Sequence, residues 1–321
     1  MHVSTVSRVL SGRGDSSIRL ETKQRIFESA ERLRYRPNAL ARGLRLSTTG
    51  ALGWLVPSLR NPNNSPIIRG AFDRAWELGY VLVIAEDSDE RATAEEAYAR
   101  LVDEGRIDGL AIQSARRGNA LLDSFVLGPV PCVFVDRCHP GSGCNVAMRD
   151  GDAGRLAAEH LVDLGHASLG HLAGPLEFDT TRRRHDGFIA AADAGGATVA
   201  VEVAALSEQA GYDAMVRLLD GRTDGPTAVF IANVNQTIGA LAALRSLGVS
   251  VPSDLSLICH DDDIVLDYVD PSVTAIRMPL LRLGAAAIDA LVARIDGGAA
   301  QDVVVDEAPT LVDRSSTARL R

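Results

Sequence analysis

Five polar residues at or near the ends of predicted strands could bind a small hydroxylated ligand. They are Asp136, Arg137, Arg184, Asn233 and Asp261. A carboxylate accepts hydrogen bonds from hydroxyl groups, while guanidinium and amide groups donate to ring and hydroxyl oxygens. Any one of these residues alone is more often an ordinary surface charge or a loop cap. Taken together, they predict a crevice that binds a polar, sugar-like molecule.

The cysteines do not indicate a metal site. Thiolates and imidazoles are good zinc ligands. The chain has four cysteines, with a histidine beside one of them: Cys132, Cys138, Cys144, Cys259 and His139. No CxxC pair is present, so we predict ordinary thiols of a reducing compartment and no bound metal.

Catalytic chemistry is not indicated either. His166, His171 and His185 could suggest proton transfer, but a polar residue at a helix end or strand edge is the commoner explanation for each. No GxGxxG or GxxxxGK[ST] motif follows a predicted strand. We therefore predict no catalytic residues, no cofactor and no enzyme activity.

From Ala51 onward, short apolar β-rich runs alternate with helix-like segments, a pattern that predicts parallel strands joined by helices. The predicted strands are Leu52–Val56, Val81–Ala85, Gly109–Gln113, Val130–Asp136, Leu169–Ala173, Val199–Val203, Ala228–Ala232 and Leu255–His260. Eight strands are too many for one short sheet. We predict two successive α/β lobes with doubly wound parallel sheets, which hold a ligand between the carboxyl ends of their strands.

The N-terminal part differs in both pattern and charge. Thr5–Leu10, Leu20–Leu33 and Pro37–Leu44 are predicted helices with no strand between them. Residues 1–49 carry ten Lys and Arg against four Asp and Glu, a net charge of +6, whereas the whole chain has a net charge of −9. A compact basic module on an acidic body is typical of a head that binds a polyanion such as DNA.

Two motifs in this basic module resemble the DNA-binding headpiece of the LacI/GalR family of bacterial regulators: residues 5–12, TVSRVLSG, and residues 35–44, YRPNALARGL. The resemblance continues through the second part of the chain at Gly79-Tyr80, Asp108-Gly109, Gly165-His166, Gly174-Pro175 and Val251-Pro252. It implies a small all-α helix-turn-helix headpiece before a two-lobed, periplasmic-binding-protein-like sensor. The implied function is a ligand-responsive, sequence-specific transcriptional regulator, most simply a repressor.

The resemblance also implies individual roles. Val3, Ser4 and Arg8 match base-reading positions, and Thr5 and Ser7 match phosphate or base contacts. Pro37–Leu44 resembles the family's hinge helix, in which Asn38 contacts DNA and Leu44 wedges into the minor groove. The five crevice residues match positions at which family members hydrogen-bond their effector.

The implied domain boundaries are residues 1–36 for the headpiece and 37–49 for the hinge helix and linker. The first sensor lobe is implied to comprise residues 50–148 plus 279–306. The second is implied to comprise residues 149–278 plus 307–321. The family's first helix, upstream of the recognition helix, has no counterpart here, which predicts a start site further upstream. The family's tetramer-forming leucine heptads are also absent, so we expect a homodimer on a pseudo-palindromic operator.

Several residues depart from the family pattern and bear on the ligand. Asn233-Val234 replaces the usual Asn-Asp, Cys259-His260 replaces a Gly-aromatic pair, and Leu206 stands where several members have a stacking aromatic residue. Asn63 and Asn64 replace aromatic or apolar residues near the first strand end. These changes favour a hydroxyl-rich ligand over a flat purine.

The alternative is a sugar-binding protein with the same sensor fold and no DNA-binding activity. Such a protein would be exported, but the N-terminus has no apolar core of the kind a secretory signal needs. No apolar stretch approaches the roughly 20 residues required to cross a bilayer. We therefore expect a cytoplasmic regulator with no membrane partner.

Overall fold

The computed structural model describes residues 5–6, 9, 18–33, 48–59, 61–86, 102, 104–113, 122, 125–126, 128–220 and 225–320. The chain divides into two units, residues 1–50 and 51–321. No helix within the described ranges has the length and apolar character needed to span a bilayer.

The first unit contains helix α1 (Leu20–Arg32), which confirms the central predicted helix to within one residue. Thr5, Val6 and Val9 are also helical. Val9 and Ile26 are buried, whereas Leu20 and Phe27 are exposed. The predicted hinge helix, residues 37–44, lies outside the described residues.

Where the structure describes the second unit, it has twelve strands: β1 (Ala51–Val56), β2 (Val81–Glu86), β3 (Gly109–Ile112), β4 (Cys132–Val135), β5 (Asn145–Ala147), β6 (Ser168–Ala173), β7 (Thr198–Val203), β8 (Ala228–Ile231), β9 (Ser256–His260), β10 (Thr274–Arg277), β11 (Val303–Val304) and β12 (Thr310–Val312). They form two six-stranded sheets, in the orders β11-β5-β4-β3-β1-β2 and β12-β10-β9-β8-β6-β7. Every pairing is parallel except that of β10 with β12. The predicted α/β architecture with two parallel sheets is confirmed.

Six α-helices lie entirely within the described residues of this unit: α2 (Asn64–Glu77), α3 (Asp150–Asp163), α4 (Asp179–Ala194), α5 (Glu208–Leu219), α6 (Val234–Leu247) and α7 (Leu280–Ile295). A short 3-10 helix spans Ile264–Asp267. Helices α2 and α7 pack on each other and, with the first sheet, form the N-lobe; α3 to α6 and the second sheet form the C-lobe. The central strands β3, β4 and β8 are buried at every residue. Burial on both faces explains why these strands are continuous apolar runs in the sequence.

The chain passes between the two lobes three times. It leaves the first sheet after β5 and enters the C-lobe at α3, then returns after β10 through α7. Finally it leaves β11 of the first sheet for β12 of the second. Each lobe is therefore assembled from separate stretches of sequence.

The two lobes repeat one topology, with the strand order 5-4-3-1-2 in each after the added edge strand is set aside. The fourth strands, β4 and β9, therefore occupy equivalent places. Each is followed by an aspartate with left-handed backbone, Asp136 at φ 68° and Asp261 at φ 71°. Among the described residues these are the two non-glycine positions with such a φ, a conformation that is uncommon outside glycine and turns the chain sharply.

Helices α3 and α4 approach each other closely because two glycines lie at their contact. A Cβ atom on Gly154 would lie 2.0 Å from the carbonyl oxygen of Arg184, and one on Gly187 would lie 2.1 Å from the carbonyl oxygen of Gly151. Both distances are far below van der Waals contact. The glycines therefore set the separation of the two helices and, with it, the position of Arg184.

Candidate functional site

A crevice that is open to solvent lies between the carboxyl ends of the two sheets. All five predicted effector residues line it. Further polar lining comes from Asn61, Asn63, Asn64, Thr180, Thr181 and His260. The apolar lining comes from Ile67, Met148, Leu206, Ala232 and Leu280, and no described phenylalanine, tyrosine or tryptophan is among the lining residues.

Arg184 is held in place by groups of the C-lobe and the first crossover. Its side chain is only 8% exposed. One terminal nitrogen donates to the carbonyl oxygen of Ala232 at 2.6 Å, and the other to Oδ1 of Asp150 at 3.0 Å. Its Nε is buried and has no hydrogen-bond partner within the described part of the protein. The guanidinium is therefore fixed in position at the crevice, and its Nε–H group makes none of these hydrogen bonds.

Asp150, the first residue of α3, is the charge on which this arrangement depends. Its carboxylate is fully buried, and its Oδ2 also pairs with Arg183 at 2.9 Å. Arg183 donates in addition to the carbonyl oxygens of Met148 at 2.7 Å and Asp136 at 3.1 Å. One buried carboxylate thus ties both arginines to the crossover between the lobes. The sequence patterns did not single out Asp150.

Asp136 ends β4 on the N-lobe side of the crevice. Burial raises the pKa of its carboxyl to about 7, and repulsion from Asp150 acts in the same direction, against attraction from Arg137, Arg183 and Arg184. The adjacent Arg137 lies over the Phe178 ring, with 3.8 Å from its guanidinium carbon to the ring centroid. This cation–π contact joins the N-lobe side chain to the turn before α4.

Asp261 ends β9 on the C-lobe side and is 5% exposed. Its Oδ2 lies 3.0 Å from Nδ1 of His260 and also accepts a hydrogen bond from the amide of Asn63. Burial raises the pKa of Asp261, but His260, Arg184 and Asn63 more than offset this and leave the pKa below its usual range. Burial lowers the pKa of His260.

Asn233 lines the crevice, but its side chain also serves the local backbone. Its Oδ1 accepts from the backbone N–H of Gln236 at 2.9 Å and so caps helix α6. Its Nδ2 donates to the carbonyl oxygen of Leu206 at 3.4 Å. The residue is therefore an N-cap of the ordinary kind, and one N–H remains for a ligand.

Two of the three histidines that could have suggested proton transfer, His171 and His166, have structural surroundings. His171 is buried in the C-lobe, where burial lowers its pKa to about 3 and its Nδ1 donates to the carbonyl oxygen of Phe230 at 3.0 Å. His166 contacts the Thr227 hydroxyl at 2.9 Å and the Ala318 carbonyl oxygen at 3.0 Å. Within the described ranges, no group of three His, Cys, Asp or Glu side chains is arranged to hold a metal ion.

The predicted DNA contacts fall mostly outside the described residues. Thr5 is helical and partly buried. The others are not described: Val3, Ser4, Ser7, Arg8, Asn38 and Leu44.

A two-lobed α/β fold with a polar crevice at the strand ends defines the class of periplasmic-binding-protein-like ligand-binding domains. A family model described as a periplasmic binding protein-like domain matches residues 158–317. The transcriptional repressor PurR from Haemophilus influenzae strain PittEE is 30% identical to this chain over an alignment of 323 positions. The alignment covers 98% of this chain and 94% of the relative.

Two solved structures extend this likeness. A LacI family transcriptional regulator from Mycobacterium smegmatis aligns with a TM-score of 0.78 at 32% identity, over 84% of this chain and 99% of that one. The lac repressor dimer bound to operator and the anti-inducer ONPF aligns with a TM-score of 0.84 at 26% identity, over 98% of this chain and 95% of that one. The chain belongs to the LacI/GalR family of transcriptional regulators, and its relatives are transcriptional repressors.

Proposed function

We propose that the chain is a ligand-responsive repressor, which binds a specific operator through residues 1–49 and a sugar-like effector in the crevice. The observation that carries the ligand class is the lining of the crevice. Hydrogen-bonding groups enter it from both lobes, Asp136 and Arg137 from one and Arg184 and Asp261 from the other. A hydroxylated ligand that contacts both sets stabilises lobe closure, because those contacts exist only when the lobes are together.

The same lining disfavours a purine base, which gains much of its binding energy by stacking. Leu206 and the Asn63–Asn64 pair occupy the crevice where a stacking ligand would need aromatic rings. Two related regulators support a sugar: one was solved as the CelR–cellobiose complex, and another, from Enterococcus faecium, with bound ribose.

Calorimetric titration tests this assignment. D-ribose, cellobiose, D-glucose and guanosine are titrated into the wild type, Asp261→Ala and Asp186→Ala, the last being an exposed carboxylate on α4 as the matched control. Truncating Asp261 is expected to cost about 2–4 kcal/mol of sugar affinity, because it leaves donors in a closed site unpaired. Undiminished binding by the Asp261 variant removes the proposed site, and preferential binding of guanosine overturns the ligand class.

The headpiece assignment rests on the resemblance and on the +6 charge of residues 1–49. Arg8→Ala is expected to weaken operator binding and relax discrimination at one base position, whereas Arg36→Ala weakens binding to all sequences about equally. Leu44→Ala is expected to reduce DNA bending together with specificity. Gel shifts on an operator selected from a random library measure all three, and normal bending by the Leu44 variant rejects the wedge.

We also propose that two copies of the chain form a homodimer. The related lac repressor structure is described as a dimer. Apolar side chains are exposed on the N-lobe at Trp76 (72%) and on the C-lobe at Tyr268 (82%). A dimer contact at either residue would bury this apolar surface. Light scattering at micromolar concentration is expected to show a dimer, and Trp76→Lys with Tyr268→Lys is expected to shift it toward monomer.

A further inference from the structure

Among the hydrogen bonds that join the two lobes, one crosses the crevice between side chains that line it. The side-chain amide of Asn63, the residue before α2, donates to Oδ2 of Asp261, the residue after β9. Asn63 belongs to the N-lobe and Asp261 to the C-lobe. The bond can therefore exist only while the two lobes are close together.

The N-lobe end of this bond is built on a rigid support. The backbone N–H of Asn63 donates to Oδ1 of Asn61 at 3.2 Å. The next residue, Asn64, is buried and accepts at Oδ1 from Nε2 of Gln113 at 2.8 Å, and Gln113 in turn accepts from Nε1 of Trp54 at 3.1 Å. This chain of amides runs from the core of β1 to the start of α2. The turn that carries Asn63 is thus fixed to its own lobe and cannot follow Asp261 if the lobes separate.

The C-lobe end leaves one oxygen of the carboxylate for a ligand. The contacts that Asp261 makes with Asn63 and His260 both involve Oδ2. Because the hydrogen bond from Asn63 occupies Oδ2, which also lies 3.0 Å from Nδ1 of His260, Oδ1 is the carboxylate oxygen left for a donor in the crevice. A single hydroxyl group fits this oxygen, whereas a donor pair that needs both oxygens must first break the bond to Asn63.

We propose that Asn63 is a positioning residue, which latches the two lobes together and orients Asp261 to accept one hydroxyl of the effector. The part that concerns the effector rests on the proposed function, whereas the latch itself does not. The latch and the ligand use different oxygens of one carboxylate. They therefore cooperate, since each favours the closed arrangement that the other requires.

An exchange of the two side chains tests the latch without any ligand. Asn63→Asp places two carboxylates against each other and is expected to open the lobes, which raises the radius of gyration in small-angle X-ray scattering and lowers the unfolding midpoint in urea. Asn63→Asp combined with Asp261→Asn rebuilds an amide–carboxylate pair with the roles reversed, and is expected to restore both values. Ser65→Ala, exposed on the same turn, is the matched control and is expected to match the wild type.

Sugar binding is measured in parallel with D-ribose and cellobiose as probes. Asn63→Leu is expected to weaken the binding of whichever sugar the wild type takes by about tenfold, the typical value for a hydrogen bond to a charged group. If neither sugar binds the wild type but the exchanged pair restores closure, the latch stands and the sugar assignment fails. If the exchanged pair is no more closed or stable than Asn63→Asp alone, or Asn63→Leu has wild-type dimensions, the latch is rejected whatever the sugars do.

Discussion

The substitution Asp136→Asn is expected to stabilise the protein at neutral and alkaline pH. Asp136 ends β4 beside the buried Asp150, and burial together with that charge raises the pKa of its carboxyl from 3.8 to about 7. The folded state therefore opposes ionisation of this group, while the unfolded state does not. Asparagine has nearly the same shape and no charge, so it removes the cost of ionisation and little else.

The sign and size follow from proton linkage. Between about pH 4 and pH 7 the folded state binds more protons at Asp136 than the unfolded state, so this group's contribution to stability falls as pH rises through that window. The full shift corresponds to about 4 kcal/mol at 1.36 kcal/mol per pKa unit. The Asp136 side chain is only partly shielded from solvent, and Asp150 lies in the same surroundings. We therefore expect the variant to be more stable than the wild type by about 1–2 kcal/mol and not by the full value.

Urea unfolding of wild type and Asp136→Asn at pH 5, 6, 7 and 8 measures this difference. The advantage of the variant is expected to grow from pH 5 to pH 7 and then level off. His171, whose pKa is lowered to about 3 by burial, contributes stability that rises with pH up to about its unfolded pKa of 6.5. This contribution is the same in both proteins and cancels in the difference. Asp186→Asn, an exposed carboxylate, serves as the control.

Two results would refute the reasoning on Asp136. If the variant is less stable than the wild type at pH 8, the carboxylate is favourably solvated or paired and does not oppose folding. If the advantage is the same at pH 5 and pH 8, it comes from packing or backbone geometry and not from ionisation.

Three further substitutions probe the support of the site. Asp150→Asn should cost about 3–5 kcal/mol of unfolding free energy, because it leaves two arginines without their buried partner. The control Asp152→Asn changes a side chain that is 41% exposed on the same helix, and urea titrations should show a change of less than about 0.5 kcal/mol in its unfolding free energy. Gly154→Ala should cost about 1–3 kcal/mol of unfolding free energy, because its Cβ would meet a carbonyl oxygen 2.0 Å away. The control Gly151→Ala, whose Cβ has its nearest neighbour 3.6 Å away, should stay within about 1 kcal/mol of wild type in thermal unfolding. Equal losses of stability in the two variants would contradict the packing argument. Asn233→Ala should lose about 1 kcal/mol as an N-cap and Asn233→Asp should retain it; equal stability of all three proteins would exclude capping.

The strands that the sequence predicted are those with long, uninterrupted apolar runs. All eight are present. Central parallel strands such as β3, β4 and β8 are buried on both faces and must be apolar throughout, whereas β2 and β7 are partly exposed edge strands that the sequence still marks with apolar, β-branched residues. The four that were missed, β5, β10, β11 and β12, have two to four residues each. Such short segments carry too few residues for any periodicity, and their strand geometry comes from neighbours already in place.

The crevice residues were predictable for a related reason. Residues that follow parallel strands converge at one edge of a sheet, so Asp136, Asn233 and Asp261 could be grouped from their positions in the sequence. Asp150 could not, because its role depends on two arginines brought to it by the close packing of helices α3 and α4. The bond between Asn63 and Asp261 was equally hidden, since it depends on the relative placement of two lobes. Polarity at Asn63 was evident from the sequence, but not its partner.

The three crossovers between the lobes have a consequence for how the protein is made. The N-lobe lacks helix α7 and strand β11 until residue 304 has been synthesised, and the C-lobe lacks strand β12 until residue 312. Domains usually fold one after another as they leave the ribosome, the N-terminal one first. Here both lobes are completed only near the end of synthesis, the N-lobe at residue 304 and the C-lobe at residue 312. A nascent chain that stops at residue 278 therefore has two incomplete lobes.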